Sequence, residues 1–228
     1  MPKILGLSNR SKNVQLQGGV YSFKVFPAGV TAAFSGRAFD PSKTESFLST
    51  LTPSPVRFSA LKQMHENRVV KALPVSDPWG EGEGDGLVTR EKNLALTIRT
   101  ADCASIFFSD PAEEAIGICH AGWRGARCGI TFELVEKMKA QFNSEPKTLL
   151  AAIGPVICRS CYEVGEEFEG YFPREVFRIN GKPHLDLKAV LLRQLKEAGL
   201  TPDRIFDSNF CTACSTGQFF SARREGKG

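Results

Sequence analysis

Apolar positions along the chain fall into two rhythms. Leu94, Leu96 and Ile98 alternate with smaller or polar residues, the period of a half-buried strand. Largely apolar runs at 105–108, 115–119 and 149–153 predict three more strands. From Gly129 onward the spacing changes: Ile130, Leu134, Val135 and Met138 recur at three- and four-residue steps with charges between them, which predicts an amphipathic helix after a glycine-rich turn. A last long helix is predicted to open on Asp186 as its N-cap, turn Val190, Leu191 and Leu195 inward, and stop at Gly199 ahead of Pro202. Ser42 and Glu45 have capping-box spacing, so a short helix is expected through Phe47 and Leu48, ending before Pro53. Between 74 and 86, the stretches Asp77-Pro78-Trp79-Gly80 and Gly82-Glu83-Gly84-Asp85-Gly86 predict a loop lying over a site. Strands and helices mix without regular alternation, which predicts an α+β fold of mixed β-sheets with flanking helices rather than a doubly wound sheet.

The 228 residues suit a single domain, 1–228, able to bury its own core. Its 29 basic and 25 acidic residues are interspersed, with no basic run before Arg223-Arg224, so no nucleic-acid partner is expected. No apolar stretch is long enough to span a bilayer, and Met1-Pro2-Lys3-Ile4 does not open a signal peptide; a cytoplasmic protein with no membrane partner is expected. Seven cysteines, an odd count, suggest reduced thiols or metal ligands rather than a disulfide framework.

Thr100-Ala101-Asp102-Cys103 and His120-Ala121-Gly122-Trp123-Arg124-Gly125 bring a carboxylate, a thiol, an imidazole and a guanidinium to predicted strand ends beside small residues that let a ligand approach. His65, in Leu61-Lys62-Gln63-Met64-His65, completes a set of two imidazoles and one thiolate, a complement suited to one catalytic zinc ion with its fourth position open. Such a site lowers the pKa of water to about 7 and could support hydrolysis or deamination. The plain alternative is a buried thiol and two hydrogen-bonded histidines. Context favours the metal: of the three histidines, two lie in polar, glycine-bounded motifs, while His184, in a Pro183-His184-Leu185 turn, reads as surface. Asp102 would face away from Cys103 and orient His65 or Arg124, or stand behind the metal. Trp123 and Arg124 are expected in a turn leading to a helix N-terminus that welcomes an anion. Arg37 is a second guanidinium in a turn, which spacing alone does not select. Cys158-Arg159-Ser160-Cys161 and Cys211-Thr212-Ala213-Cys214 are two C-x-x-C motifs, but the interval between them far exceeds the about 15–20 residues of a zinc ribbon. They are expected as packing thiols near the site.

These motifs resemble the laccase-domain, YfiH-like family, described as zinc-dependent purine nucleoside phosphorylases and as peptidoglycan editing factors. The resemblance also includes Asp85-Gly86-Leu87-Val88-Thr89, Ile153-Gly154-Pro155, Tyr162-Glu163-Val164-Gly165, Leu185-Asp186-Leu187 and Phe219-Phe220-Ser221-Ala222-Arg223-Arg224, and so spans 61–224. It implies zinc on His65, Cys103 and His120, and phosphate attacking the ribose C1′ of adenosine, inosine, guanosine or methylthioadenosine. Adenosine deamination at C6 is implied as well. The small-molecule partners are then a nucleoside and phosphate. Arg37 and Arg124 are the candidate cations for the phosphate, Gln63 and Trp123 further substrate contacts, and Asp102 or Glu163 the candidate general acid or base. Two departures stand out. Ala38-Phe39-Asp40-Pro41 replaces the family's glycine-rich segment and asparagine, which bears on substrate range, and Gly226-Lys227-Gly228 stands where relatives usually continue through a Thr-Gly-Arg segment and a final strand, through trimming or natural loss; a missing strand there would expose an edge.

Four rivals remain. Copper polyphenol oxidation is disfavoured, since three histidines cannot ligate a blue copper and a trinuclear cluster together. A metal-free cysteine hydrolase would use Cys103 as nucleophile and His120 as base. A peptidoglycan-precursor amidohydrolase would use the same zinc chemistry, and a zinc-stabilised binding partner would turn over nothing.

Overall fold

The computed structural model describes residues 12–52, 56–77 and 79–226. Met1-Pro2-Lys3-Ile4, Pro53, Pro78 and Lys227-Gly228, each used in the sequence reading, lie outside the described residues. In chain order the strands are β1 (Val14–Gln17), β2 (Val20–Phe23), β3 (Ala33–Ser35), β4 (Arg57–Ser59), β5 (Val69–Lys71), β6 (Gly86–Thr89), β7 (Leu94–Leu96), β8 (Ala104–Asp110), β9 (Ala115–Ala121), β10 (Leu150–Ile153), β11 (Val176–Ile179), β12 (Lys182–Leu185) and β13 (Ile205–Asp207). The helices are α1 (Thr44–Leu48), α2 (Trp123–Arg127), α3 (Ile130–Phe142), α4 (Phe168–Tyr171), α5 (Leu187–Glu197) and α6 (Ala222–Glu225).

A six-stranded mixed sheet, ordered β13-β10-β8-β9-β6-β5, organises the molecule, with smaller sheets β1-β2-β3, β4-β7 and β11-β12 around it. The period-2 alternation of β8 assigns its two faces. Ala104, Ile106 and Phe108 join the core under α3 and α5, whereas Phe107 packs with the aromatic residues Tyr21, Phe23, Phe34 and Phe219 on the other face. Ile130, Leu134 and Met138 of α3 are fully buried, each contributing about 1.5–3 kcal/mol relative to exposure. Gly117 leaves room for that helix, because a Cβ there would sit 3.2 Å from the Leu134 side chain. The fold is α+β, as the mixed pattern predicts.

Asp186 caps α5 as expected, accepting from Ala189 N at 3.0 Å. Four other expectations need correction. Ser42 does not cap α1: its N–H and Oγ bind Asp40 Oδ1 at 2.9 and 2.7 Å, a local turn that competes with capping, and the helix starts at Thr44. Ile98 lies beyond β7. Trp123 and Arg124 form the one-turn helix α2 rather than a turn. His184 is buried on β12, with Nδ1 2.9 Å from the Arg159 carbonyl, because the β11-β12 hairpin folds it under the 159–163 loop.

Candidate metal centre

Strand register builds the centre. Gly86 of β6 pairs with Cys119 of β9, which sets the next residues along, Asp85 and His120, side by side; the His120 N–H donates to the Asp85 carbonyl at 2.7 Å. Cys119 and His120 point to opposite faces. Cys119 is fully buried under α3, where desolvation pushes its thiol pKa up and leaves it inert. His120 turns to the other face, across from Ser105 of β8. Cys103 immediately precedes β8, and His65 lies in a loop at left-handed φ of 61°.

One ligand atom from each of His65, Cys103 and His120 lies within 4.8 Å of the others. The two imidazoles meet edge to face with centroids 4.7 Å apart. Gly122 closes the space behind them: a Cβ there would sit 2.7 Å from Cys103 Sγ and 3.7 Å from His65 Cδ2. A thiolate and two imidazoles are ordinary zinc ligands, and converging in this way they fit that ion. His65 is exposed, Cys103 half-buried and His120 buried, so the trio opens to solvent on one side.

Asp85, missed as a site residue in the sequence, is the hub of this arrangement. Its carboxylate is buried and accepts from the backbone N–H groups of Met64, His65 and Glu66 at 3.1, 3.0 and 2.9 Å. Its Oδ1 is also 2.8 Å from His120 Nδ1. An ionised Asp85 places the imidazole proton on Nδ1 and leaves Nε2 free to bind a metal. Burial alone would raise the Asp85 pKa, but the His120 and backbone hydrogen bonds outweigh it and hold the carboxyl below its ordinary value. Burial would likewise lower the His120 pKa, yet its bonds to Asp85 and Cys103 raise it to about 9. The Cys103 thiol, which burial would raise, is lowered to about 7 by hydrogen bonds from His120 and His65. The advance signals for Asp85 were an acid amid glycines just before a strand and its place at the head of the Asp85-Gly86-Leu87-Val88-Thr89 motif, and neither gave it a role.

The remaining candidates separate. Asp102, at φ of 90°, pairs with neither His65 nor Arg124; its carboxylate accepts from Thr212 Oγ1 at 2.6 Å and Arg223 N at 2.7 Å, because the reversed backbone turns it toward the C-terminal segment. Gln63 spends its side-chain amide on Arg99, donating to the carbonyl and accepting from the N–H, both at 2.8 Å. Arg37 is held by the Phe219 carbonyl and by Glu225, over the Phe220 ring. Arg124 is exposed and lies over Trp123, 4.5 Å from the ring centroid. Glu163 is exposed and paired with Lys182. Trp123, Tyr162, Glu163, Phe168, His184 and Arg223 are among the residues lining a cleft of about 680 Å³. Tyr162 on its wall is near enough to Cys103 for that charge, after burial, to raise the phenol pKa. A second cavity, about 770 Å³, is lined by Thr100 and Ser105 on either side of Cys103, and by Phe39, Asp40 and Pro41 from the divergent segment.

Comparison with known proteins gives the chain its family. A family model described as multi-copper polyphenol oxidoreductase laccase matches residues 42–228. Adenosine deaminase RL5, from an unknown prokaryotic organism, is 35% identical over 181 residues, covering 72% of this chain and 69% of that protein. Purine nucleoside phosphorylase YlmD of Bacillus subtilis is 31% identical over 185 residues, covering 72% of this chain and 64% of that protein. The crystal structure of YlmD from Geobacillus stearothermophilus superposes with a TM-score of 0.83, at 26% identity, over 94% of each chain.

Proposed function

The chain belongs to the multi-copper polyphenol oxidoreductase laccase family, and from that premise we propose that it is a zinc-dependent purine nucleoside phosphorylase that also deaminates adenosine. Its substrates are adenosine, inosine, guanosine or methylthioadenosine together with inorganic phosphate. The observation that carries this reading is the convergence of His65, Cys103 and His120 donor atoms beside a nucleoside-sized cleft.

In phosphorolysis the ribose C1′–N9 bond breaks, a phosphate oxygen bonds to C1′, and the purine leaves with a proton. A zinc ion held by His65, Cys103 and His120 supplies Lewis acidity at neutral pH. Asp85 fixes the His120 ring and, through three backbone donors, the loop carrying His65. Arg124, exposed over Trp123, and Arg223, on the cleft wall, are the cations available to the phosphate. Tyr162 stays protonated and offers a phenolic donor there, while the Trp123 ring offers an apolar wall for the base. Arg37, engaged by Glu225, and Gln63, engaged by Arg99, act as supports rather than substrate contacts. In deamination, water adds at C6 and ammonia departs, giving the corresponding hydroxypurine nucleoside.

Copper polyphenol oxidation lacks the ligands: the chain has three histidines, and His184 is committed to the Arg159 carbonyl. One observation favours a second reading. The Cys103 thiol at about 7 beside a His120 at about 9 is also the electrostatic pattern of a cysteine nucleophile with its base.

The test is zinc content together with phosphate-dependent release of hypoxanthine or adenine. Loss of the zinc held at the His65–Cys103–His120 centre, together with loss of purine release, on Cys103→Ala supports the proposal. Full phosphorolysis in that variant refutes it, and activity that survives chelators yet dies with iodoacetamide transfers the site to the cysteine hydrolase. Hydrolysis of an amino acid from a nucleotide-linked muramyl substrate, with no nucleoside turned over, would move it to peptidoglycan editing.

A further inference from the structure

The two C-x-x-C motifs do not behave as packing thiols. We propose that Cys158, Cys161, Cys211 and Cys214 hold a second, structural zinc ion in a tetrathiolate site separate from the His65–Cys103–His120 centre.

Their four sulfurs all lie within 4.8 Å of one another, with Cys214 Sγ 3.8 Å from Cys158 Sγ and 3.4 Å from Cys161 Sγ. A zinc tetrahedron with sulfur arms of about 2.3 Å has edges of about 3.8 Å, so the thiols stand almost at ligand spacing. Topology explains how so wide a sequence interval closes. β10 and β13 are parallel neighbours in register, Ile153 beside Asp207, so the loops that follow them leave the same end of the sheet and carry the two motifs to one place. The backbone N–H groups of Cys158 and Cys214 both donate to Cys211 Sγ, at 3.2 and 3.4 Å, an environment suited to a sulfur bearing negative charge. A cysteine that only packs is buried, as Cys119 is; Cys158, Cys161 and Cys211 are half-buried and Cys214 exposed. On binding, the four thiols give up their protons to solvent and zinc takes their place.

The ion would act as a clamp. Thr212, between two of the ligands, donates to Asp102 beside Cys103, and Tyr162, next to Cys161, walls the cleft. Tying the two loops together therefore fixes one side of the candidate site.

The test separates the two metals. The full-length protein, purified under reducing conditions, is expected to hold two zinc ions per chain, falling to one in the double variant Cys158→Ser/Cys214→Ser. If that variant fails to fold, the zinc-edge X-ray absorption of Cys103→Ala gives the answer independently: a four-sulfur shell near about 2.3 Å supports the clamp. Cobalt substitution of Cys103→Ala should likewise show intense sulfur-to-cobalt charge-transfer bands. A Cys103→Ala protein without zinc, a shell of nitrogen or oxygen, iron in place of zinc, or an intact mass showing these cysteines as disulfides would each overturn the proposal. None of these readouts depends on nucleoside turnover, so failure here and failure of the phosphorylase reading are distinguishable.

Discussion

Asp85 Oδ1 stands 2.8 Å from His120 Nδ1 and, on the same oxygen, accepts the backbone N–H of His65 at 3.0 Å. One buried carboxylate therefore orients one imidazole by its ring and positions the other through its main chain. The two histidines are far apart in sequence, and this shared acceptor couples their placement. It also offsets the unfavourable left-handed backbone of His65, since three consecutive N–H groups are satisfied only in that turn.

Asp85→Ala is therefore expected to lower zinc affinity by about 10- to 100-fold, with a matching loss of turnover, as removal of a carboxylate behind a metal-binding histidine does. Competition of the purified variant against a chromogenic chelator measures the affinity. An unchanged affinity would mean that the ring is held by the strand alone.

Gly122→Ala tests the packing behind the trio. The new Cβ, 2.7 Å from Cys103 Sγ, forces the sulfur to move, whereas the extended φ of −82° at this position costs alanine nothing. A displacement approaching 1 Å at a reacting centre lowers turnover by about 100-fold. Steady-state phosphorolysis and circular dichroism together should show a nearly inactive but folded protein.

How much of this was legible follows from where each residue's information lies. Ile130, Leu134 and Met138 declare α3 by their period, and Asp186 declares the start of α5 by local capping, so both helices follow from short stretches of chain. The trio was legible because its residue types are rare and chemically specific. Asp85 was not, because it works through backbone donors and a cross-strand neighbour that only register reveals. The meeting of the C-x-x-C motifs depends on the parallel pairing of β10 with β13, which no local pattern encodes. Spacing alone did not select Arg37, and its pairing with Glu225, far along the chain, is visible only in the fold.

Cys103 supplies a prediction in pH. In the metal-free protein its thiol, lowered to about 7 by the two histidines, should be alkylated by iodoacetamide with a rate that rises through pH 7 as thiolate forms. An unperturbed thiol would titrate near about 8.5. Peptide mass spectrometry across pH 5 to 9 follows modification at Cys103, and saturating zinc should abolish it. A midpoint at the unperturbed value would show that His65 and His120 do not reach the sulfur.

Asp102 adjoins Cys103 in sequence, yet its contacts predict a structural rather than a metal phenotype. Its carboxylate holds Thr212 Oγ1 and Arg223 N, and Arg224, the next residue, reaches back to the Thr212 and Ala213 carbonyls, so the bonds form one patch between the β8 entrance and the C-terminal segment. Asp102→Ala leaves a buried hydroxyl and a backbone N–H without their acceptor, at a cost of about 1–3 kcal/mol. It also puts alanine at a φ of 90°, where asparagine is better tolerated. Thermal unfolding should therefore rank wild type above Asp102→Asn and Asp102→Ala lowest, with zinc bound at His65, Cys103 and His120 in all three. Loss of that zinc in the folded Asn variant would instead give Asp102 the metal-orienting role its sequence position suggests.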